Sequence, residues 1–410
     1  MHKPFDGPYY PPYPPAYPAH PGQPVSPGHM PQPGYPPMYA PMAPAFPYGG
    51  QQPMPMLSIE EAIKGYVQYK KFKGKDPKTL SDIELSLKTL SFVRPDIQYV
   101  HQITKRLTLE YETLVAQIPA NYQKTKALRN LSFPQLHRAA EGRPRLSPAS
   151  VDKYTLTLRA FINWCQDTDL MPNWKLPRFE GRDKGNSKDK RHPFTSDELK
   201  KLLKSPQFTG HAPDLKTQLR RHLEGESIIK DHNYWVPLIG LYTGMRLREI
   251  VQLLITDVRI QNDVTYLDLN ENGEGKSLKN NASHRQVPVH TKLIELGFLE
   301  YVERLRAQNH ARVFPHAKAT AAGAPADIFS KHFGRYLKAI GIKHSKLSFH
   351  SLRHTFIDKA AHQAKLPDHI IKALVGHADQ TITFGTYGGR LSVADLAIAQ
   401  SSISYEEIHK

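Results

Sequence analysis

The chain is 410 residues long, enough to bury a sizeable core and to form more than one domain. It carries 55 Lys+Arg against 38 Asp+Glu, a formal charge of +17, which suggests a polyanionic partner. Nucleic acid is the first candidate, and a merely basic protein is the alternative. The single cysteine, Cys165, excludes an internal disulfide framework and fits a reducing compartment. No run reaches the ~18 apolar residues of a membrane span, and no signal pattern opens the chain, so a cytoplasmic protein working on DNA is expected.

Residues 1–56 are proline-dense, with Tyr9, Tyr10, Tyr13, Tyr17, Tyr35, Tyr39 and Tyr48 interleaved. Such a composition blocks helices and sheet ladders and favours extended, solvated backbone. It reads as a disordered tail, an appendage rather than a docking segment. Residues 57–176 read as a small helical domain. Ile59, Ala62, Ile63, Tyr66 and Val67, then Leu80, Ile83, Leu87 and Leu90, recur at helical spacing. A third helix is expected between Thr104 and Gln117, followed by a basic loop. Ser147-Pro148 then caps a helix whose inner face is Val151, Tyr154, Leu158, Phe161, Ile162 and Cys165. Residues 177–192 are basic, polar and glycine-containing, and read as a linker.

The third region, 193–410, opens with the capping box Thr195-Ser-Asp-Glu198, with Phe194 and Leu199 as a hydrophobic staple. Lys204 to Asp231 gives no clear pattern. Trp235, Leu238, Ile239 and Tyr242 suggest a buried helix that breaks at Thr243-Gly244, and a new helix starts at Met245-Arg246. Two strand-like runs, Val264–Leu269 and Gln286–His290, flank a polar turn with Lys276 and Lys279. Helical pattern resumes at Thr291, interrupted by an alanine-rich loop at Ala317–Ala326. The fold class expected is mainly α with a small antiparallel β-sheet.

Several residues could carry chemistry. Arg246 begins a helix, a place that suits an anion, although an ion pair with Glu249 explains it equally well. His350 and Arg353 share a helix face, and His354 lies four residues from His350. Zinc between the two histidines is disfavoured, because no HExxH glutamate is present and Arg353 would oppose a cation. His354 reads as a satisfied core histidine. Gly376 looks like a helix C-cap that places His377 at the turn, and Tyr387 sits in a glycine-flanked loop. Together these residues form a kit for phosphoryl transfer without metal. Arginine forks can hold the nonbridging oxygens, tyrosine can attack, and lysine or histidine can protonate the leaving oxygen.

These pieces resemble the tyrosine recombinases, the phage-integrase and Xer-type site-specific recombinases. The motifs are TGMRLREI with Arg246 and Glu249, KSLKNNASHRQVPV with Lys279, FHSLRHTF with His350 and Arg353, LVGHAD with His377, and the terminal Tyr387, in the family's order. The resemblance spans roughly Phe194 to Ala399 and, more loosely, the helical domain before it. It implies that residues 57–176 are a core-binding domain and 193–410 a catalytic domain, clamped around double-stranded DNA. It also implies that Arg246 and Arg353 hold the scissile phosphate and that Tyr387 is the nucleophile of a 3′-phosphotyrosine intermediate. Lys279, preferred over Lys276, is the implied general acid. His350 would assist proton transfer, His377 would donate to a nonbridging oxygen, and Glu249 would buttress. The family needs no metal, ATP or organic cofactor. Implied partners are a tetramer of this chain on DNA, its segment Leu391–Ile408 with Leu396 and Ile398 docking on a neighbour, and accessory DNA-bending or directionality proteins. Nucleoid association and integration or excision of a prophage or genomic island follow as expectations. A silent architectural or regulatory DNA-binding protein and a type IB topoisomerase-like enzyme are the competing readings.

Overall fold

The computed structural model describes residues 56–182, 192–213, 221–278, 283–317, 319, 324–377 and 391–405. The tail 1–55, the linker segment 183–191, Lys279 and Tyr387 lie outside the described residues.

The first set of helices follows the sequence signals closely. Helix α1 (Ile59–Phe72) opens on a capping box of Ser58 and Glu61, and α2 (Pro77–Val93) on Asp76 with Pro77 at its first position. Then come α3 (Lys105–Ala116), α4 (Phe133–Ala139) and α5 (Pro148–Asp167), the last capped by Ser147. Their inner faces bury one core that includes Ile63, Tyr66, Leu87, Leu90, Tyr111, Phe161, Ile162 and Cys165. Each such large apolar side chain contributes about 1.5–3 kcal/mol when fully buried. Two features differ from the sequence reading. The basic loop contains α4, whose seven residues bury only Leu136 and so show little periodicity. The first linker residues are also pinned to the helices. Arg182 donates through its backbone N–H to Asp152 Oδ1 (3.2 Å) and through Nε to Glu112 Oε1 (3.0 Å), and Arg159 Nη2 donates to Pro177 O (2.6 Å).

A second core begins at Phe194. Its elements are α6 (Ser196–Leu203), α7 (Pro206–Thr209), α8 (His232–Thr243) and α9 (Leu247–Val251), then strands β1 (Val258–Gln261), β2 (Val264–Leu269) and β3 (Arg285–Pro288). They continue with α10 (Thr291–Glu295), α11 (Phe298–Ala307), α12 (Pro325–Ala339), α13 (His350–Asp358), a π-helical turn Lys359–Gln363, α14 (Asp368–Val375) and α15 (Val393–Ser401). The described residues are thus mainly helical, with one antiparallel sheet in the order β1-β2-β3. Leu267 at its centre faces Val258 on one side and Val287 on the other. Strand β1 escaped the sequence reading because Arg259, Ile260 and Gln261 are all exposed, which leaves no alternation to detect. Its turn was legible in principle. Asn262 and Asp263 both take positive φ, 48° and 61°, as a two-residue hairpin turn requires.

Helix α8 is buried on every side and forms the centre of this core. It packs against α13. It ends where expected, at Gly244, with φ +65°. A Cβ there would meet Phe356 Cδ1 at 2.6 Å, so only glycine lets the chain turn this close to α13. Helix α15 separates the two residues expected to dock on a neighbour. Leu396 is buried in the chain's own core, as are Ile403 and Tyr405, whose hydroxyl donates to Leu241 O (2.8 Å); Ile398 is exposed. Among the described residues no helix is long and apolar enough to cross a membrane.

Candidate active site

The break after α8 places Arg246 in extended backbone just before α9. The expected benefit of a helix N-terminus for an anion is not available there. The backbone N–H of Arg246 is already taken by Glu249 Oε2 (2.9 Å), and α9 has only five residues. What the turn does provide is a fixed guanidinium. Arg246 Nη1 donates to Glu249 Oε1 at 2.7 Å, and Nη2 donates to Gly376 O at 3.1 Å.

Glu249 is buried and serves two arginines at once. Arg285, at the start of β3, donates through Nη2 to Glu249 Oε2 (2.9 Å) and through Nη1 to Oε1 (3.3 Å). Burial alone would raise the Glu249 carboxyl, but Arg285 and then Arg246 pull it below the ordinary carboxylate value, so it is ionised at neutral pH.

The end of α14 closes the cluster. A helix C-terminus presents carbonyls without intrahelical partners and carries partial negative charge. Leu374 O accepts from Arg285 Nε (2.9 Å), and Gly376 O accepts from Arg246. Gly376 takes φ +68°, the C-cap that the sequence suggested, and His377 follows it as an exposed residue.

Arg353 comes from α13, on the buried face four residues into the helix. Its Nη1 donates to Gly244 O at 2.7 Å. Its Nη2 is buried and meets no hydrogen-bond partner among the described residues. Burial, then Arg246 and Arg285, depress the Arg353 guanidinium to about 9. Three guanidinium groups therefore face one carboxylate, leaving two positive charges unmatched among the described residues. An anion would relieve both the repulsion and the unused donor.

His350 is exposed at the start of α13, and its ring meets that of His354 edge-on, with centroids 4.9 Å apart. His354 is only partly buried, so it lies beside His350 rather than in the core. Lys276, the alternative acid, is committed elsewhere. Its side chain is 2% exposed, and Nζ donates to Asp257 Oδ1 and Oδ2 (both 2.8 Å) and to Asn270 Oδ1 (2.7 Å). The structure therefore brings Arg246, Glu249, Arg353 and His377 together and adds Arg285, which sequence reasoning used only as a landmark. Its one signal was a charged residue opening a strand whose second half, Val287 and Pro288, is buried.

Burial, followed by Arg353, Arg246 and Arg285, lowers the His377 imidazole to about 4. The ring is neutral at pH 7. Its folded value lies below the ordinary 6.5, so its contribution to stability is present above 6.5 and declines as pH falls toward 4. NMR titration of His377 is expected to give a midpoint near 4, which inorganic phosphate raises by offsetting the arginines. A midpoint near 6.5 that ignores phosphate would contradict this electrostatic picture.

Residues 218–390 match the phage integrase family. Among solved structures, the Tn1549 transposon integrase in complex with a circular intermediate DNA aligns with a TM-score of 0.50 at 14% identity, over 85% of this chain and 100% of that one. A lambda integrase dimer bound to a COC′ core site aligns with a TM-score of 0.48 at 14% identity, over 80% of this chain and 97% of that one. The XerH site-specific recombinase bound to palindromic difH aligns with a TM-score of 0.45 at 17% identity, over 78% and 89%. No curated protein sequence matches the chain. The likeness to the Tn1549 protein shows a common fold.

Proposed function

We propose that the chain, whose residues 218–390 match the phage integrase family, is a tyrosine recombinase that cuts and rejoins DNA through a 3′-phosphotyrosine. The observation that carries this reading is the buried, unpartnered Nη2 of Arg353 inside a cluster with excess positive charge. A scissile phosphodiester is an anion that offers nonbridging oxygens to both Arg353 and Arg246.

The phenolic oxygen of Tyr387 attacks phosphorus, and the bond to the 5′-oxygen breaks. Lys279 gives its proton to that leaving oxygen, His350 assists proton transfer by accepting the phenolic proton, and His377 donates from its neutral ring to a nonbridging oxygen. Glu249 holds Arg246 in place. The phosphotyrosine keeps the bond energy, so attack by a 5′-hydroxyl reverses the step and rejoins a strand. Recombining two duplexes breaks four strands, and each chain brings one nucleophile, which argues for four copies on DNA. The helical unit before the catalytic domain would complete a clamp on the duplex. Integration or excision of a mobile element, with accessory proteins setting direction, is the natural task for such an enzyme.

The test is covalent capture from a pool of nicked duplexes of randomised sequence. The protein is expected to yield adducts that survive denaturation, and Tyr387→Phe none. Absence of adducts would favour a silent DNA-binding protein. Adducts accompanied by relaxation of supercoils, without exchange between sites, would favour a topoisomerase-like enzyme.

A further inference from the structure

Arg285 lies in the cluster but differs in its bonding from the two other arginines. Its side chain is 7% exposed, and three of its nitrogens are engaged by the protein itself. Nε donates to Leu374 O (2.9 Å), Nη1 to Glu249 Oε1 (3.3 Å) and Ser283 O (3.2 Å), and Nη2 to Glu249 Oε2 (2.9 Å). Arg353 Nη2, by contrast, meets nothing among the described residues. Arg285 is arranged to hold other groups, whereas Arg353 has a donor to offer.

Arg285 ties three separate stretches of chain together. Its own backbone opens β3. Glu249 sits on α9, where the same carboxylate pairs with Arg246. Leu374 lies in the last turn of α14, three residues before His377. From this bonding we infer that Arg285 is a positioning residue for strand cleavage, fixing Arg246 through Glu249 and His377 through the end of α14. The inference rests on the recombinase reading above and adds a residue to it. A planar fork with donors on three nitrogens can span a carboxylate and a carbonyl together, which the point charge of lysine cannot do.

The experiment measures single-turnover cleavage of the nicked duplex recovered by covalent capture, using full-length protein carrying Arg285→Lys, His377→Ala, or both. Arg285→Gln is made as a second variant, and duplex affinity and melting are followed throughout. Misplacing a reacting group by about 1 Å can cost about 100-fold in rate. Arg285→Lys is therefore expected to lose about that factor, while its duplex Kd changes less than about twofold. Because Arg285 acts partly through His377, the double variant is expected to lose less than the product of the single losses. Unchanged cleavage, a loss explained by weaker duplex binding, or fully multiplicative losses would overturn the inference. So would absence of a native melting transition in both Arg285→Lys and Arg285→Gln, since Arg285 would then serve the fold. If the wild-type chain forms no adduct, the recombinase reading itself fails, an outcome distinct from these.

Discussion

Arg353→Met is expected to slow strand cleavage by about 100- to 1,000-fold without lowering the melting temperature. Arg353 is 2% exposed, and one of its guanidinium nitrogens has no partner among the described residues. Burial and two neighbouring arginines depress it to about 9, well below the ordinary arginine value. At neutral pH it is still charged, so the folded state bears the cost of a buried, repelled cation. Methionine fills the space and removes the repulsion, at the expense of one hydrogen bond to Gly244 O. The charged donor is what the transition state needs, and losing such a donor costs about 100- to 1,000-fold in rate. Cleavage of the captured duplex and thermal melting of the same preparation check this together. A variant that still cleaves at the parent's rate, or that melts well below the parent, would show that Arg353 serves the fold rather than the phosphate.

Glu249→Gln is expected to have the opposite balance, with stability lost first. The carboxylate is the only acidic group among the described residues that pairs with Arg246 and Arg285. Removing one partner from a buried ion pair costs about 3–5 kcal/mol, because the remaining charge is left uncompensated. For a unit of this size that corresponds to a melting temperature lower by about 10 °C. Inorganic phosphate should restore part of the loss, since an anion bound only by the folded state stabilises it by mass action. The parent protein should lose the same support in acid. Glu249 titrates below its ordinary value of 4.5, so its contribution is present above 4.5 and fades as pH falls through the lower folded value. Unchanged melting, or a loss indifferent to phosphate, would contradict the charge balance described for the site.

The two predictions separate groups that the sequence shows with equal clarity. Arg246, Glu249, Arg353 and His377 were all legible from motif order, and so were the local signals that place them. The Thr243-Gly244 break, the Gly376 cap and the apolar face of α13 follow from steric and capping rules that act within a few residues. Helices α1, α2, α5 and α6 were legible for the same reason, since their caps are written beside their apolar stripes. What escaped was set by distant parts of the chain. Arg285 bonds to Leu374, 89 positions away, and no local pattern announces that contact. Lys276, already second to Lys279 from its place in the turn, is engaged by Asp257, 19 positions upstream, which no local pattern announces. The strand β1 lacked alternation because Arg259, Ile260 and Gln261 are all exposed. Leu396 reads as an apolar residue in either a docking helix or a core helix, and only packing shows that it serves this chain's own core.

The central claim is that Tyr387 becomes covalently joined to DNA at a phosphate held by Arg246 and Arg353. The most direct measurement is proteolysis of the captured adduct, with mass spectrometry of the peptide that carries nucleotide. The account predicts a 3′-phosphate linked to the phenolic oxygen of Tyr387. Attachment to another residue, or through a 5′-phosphate, would contradict it.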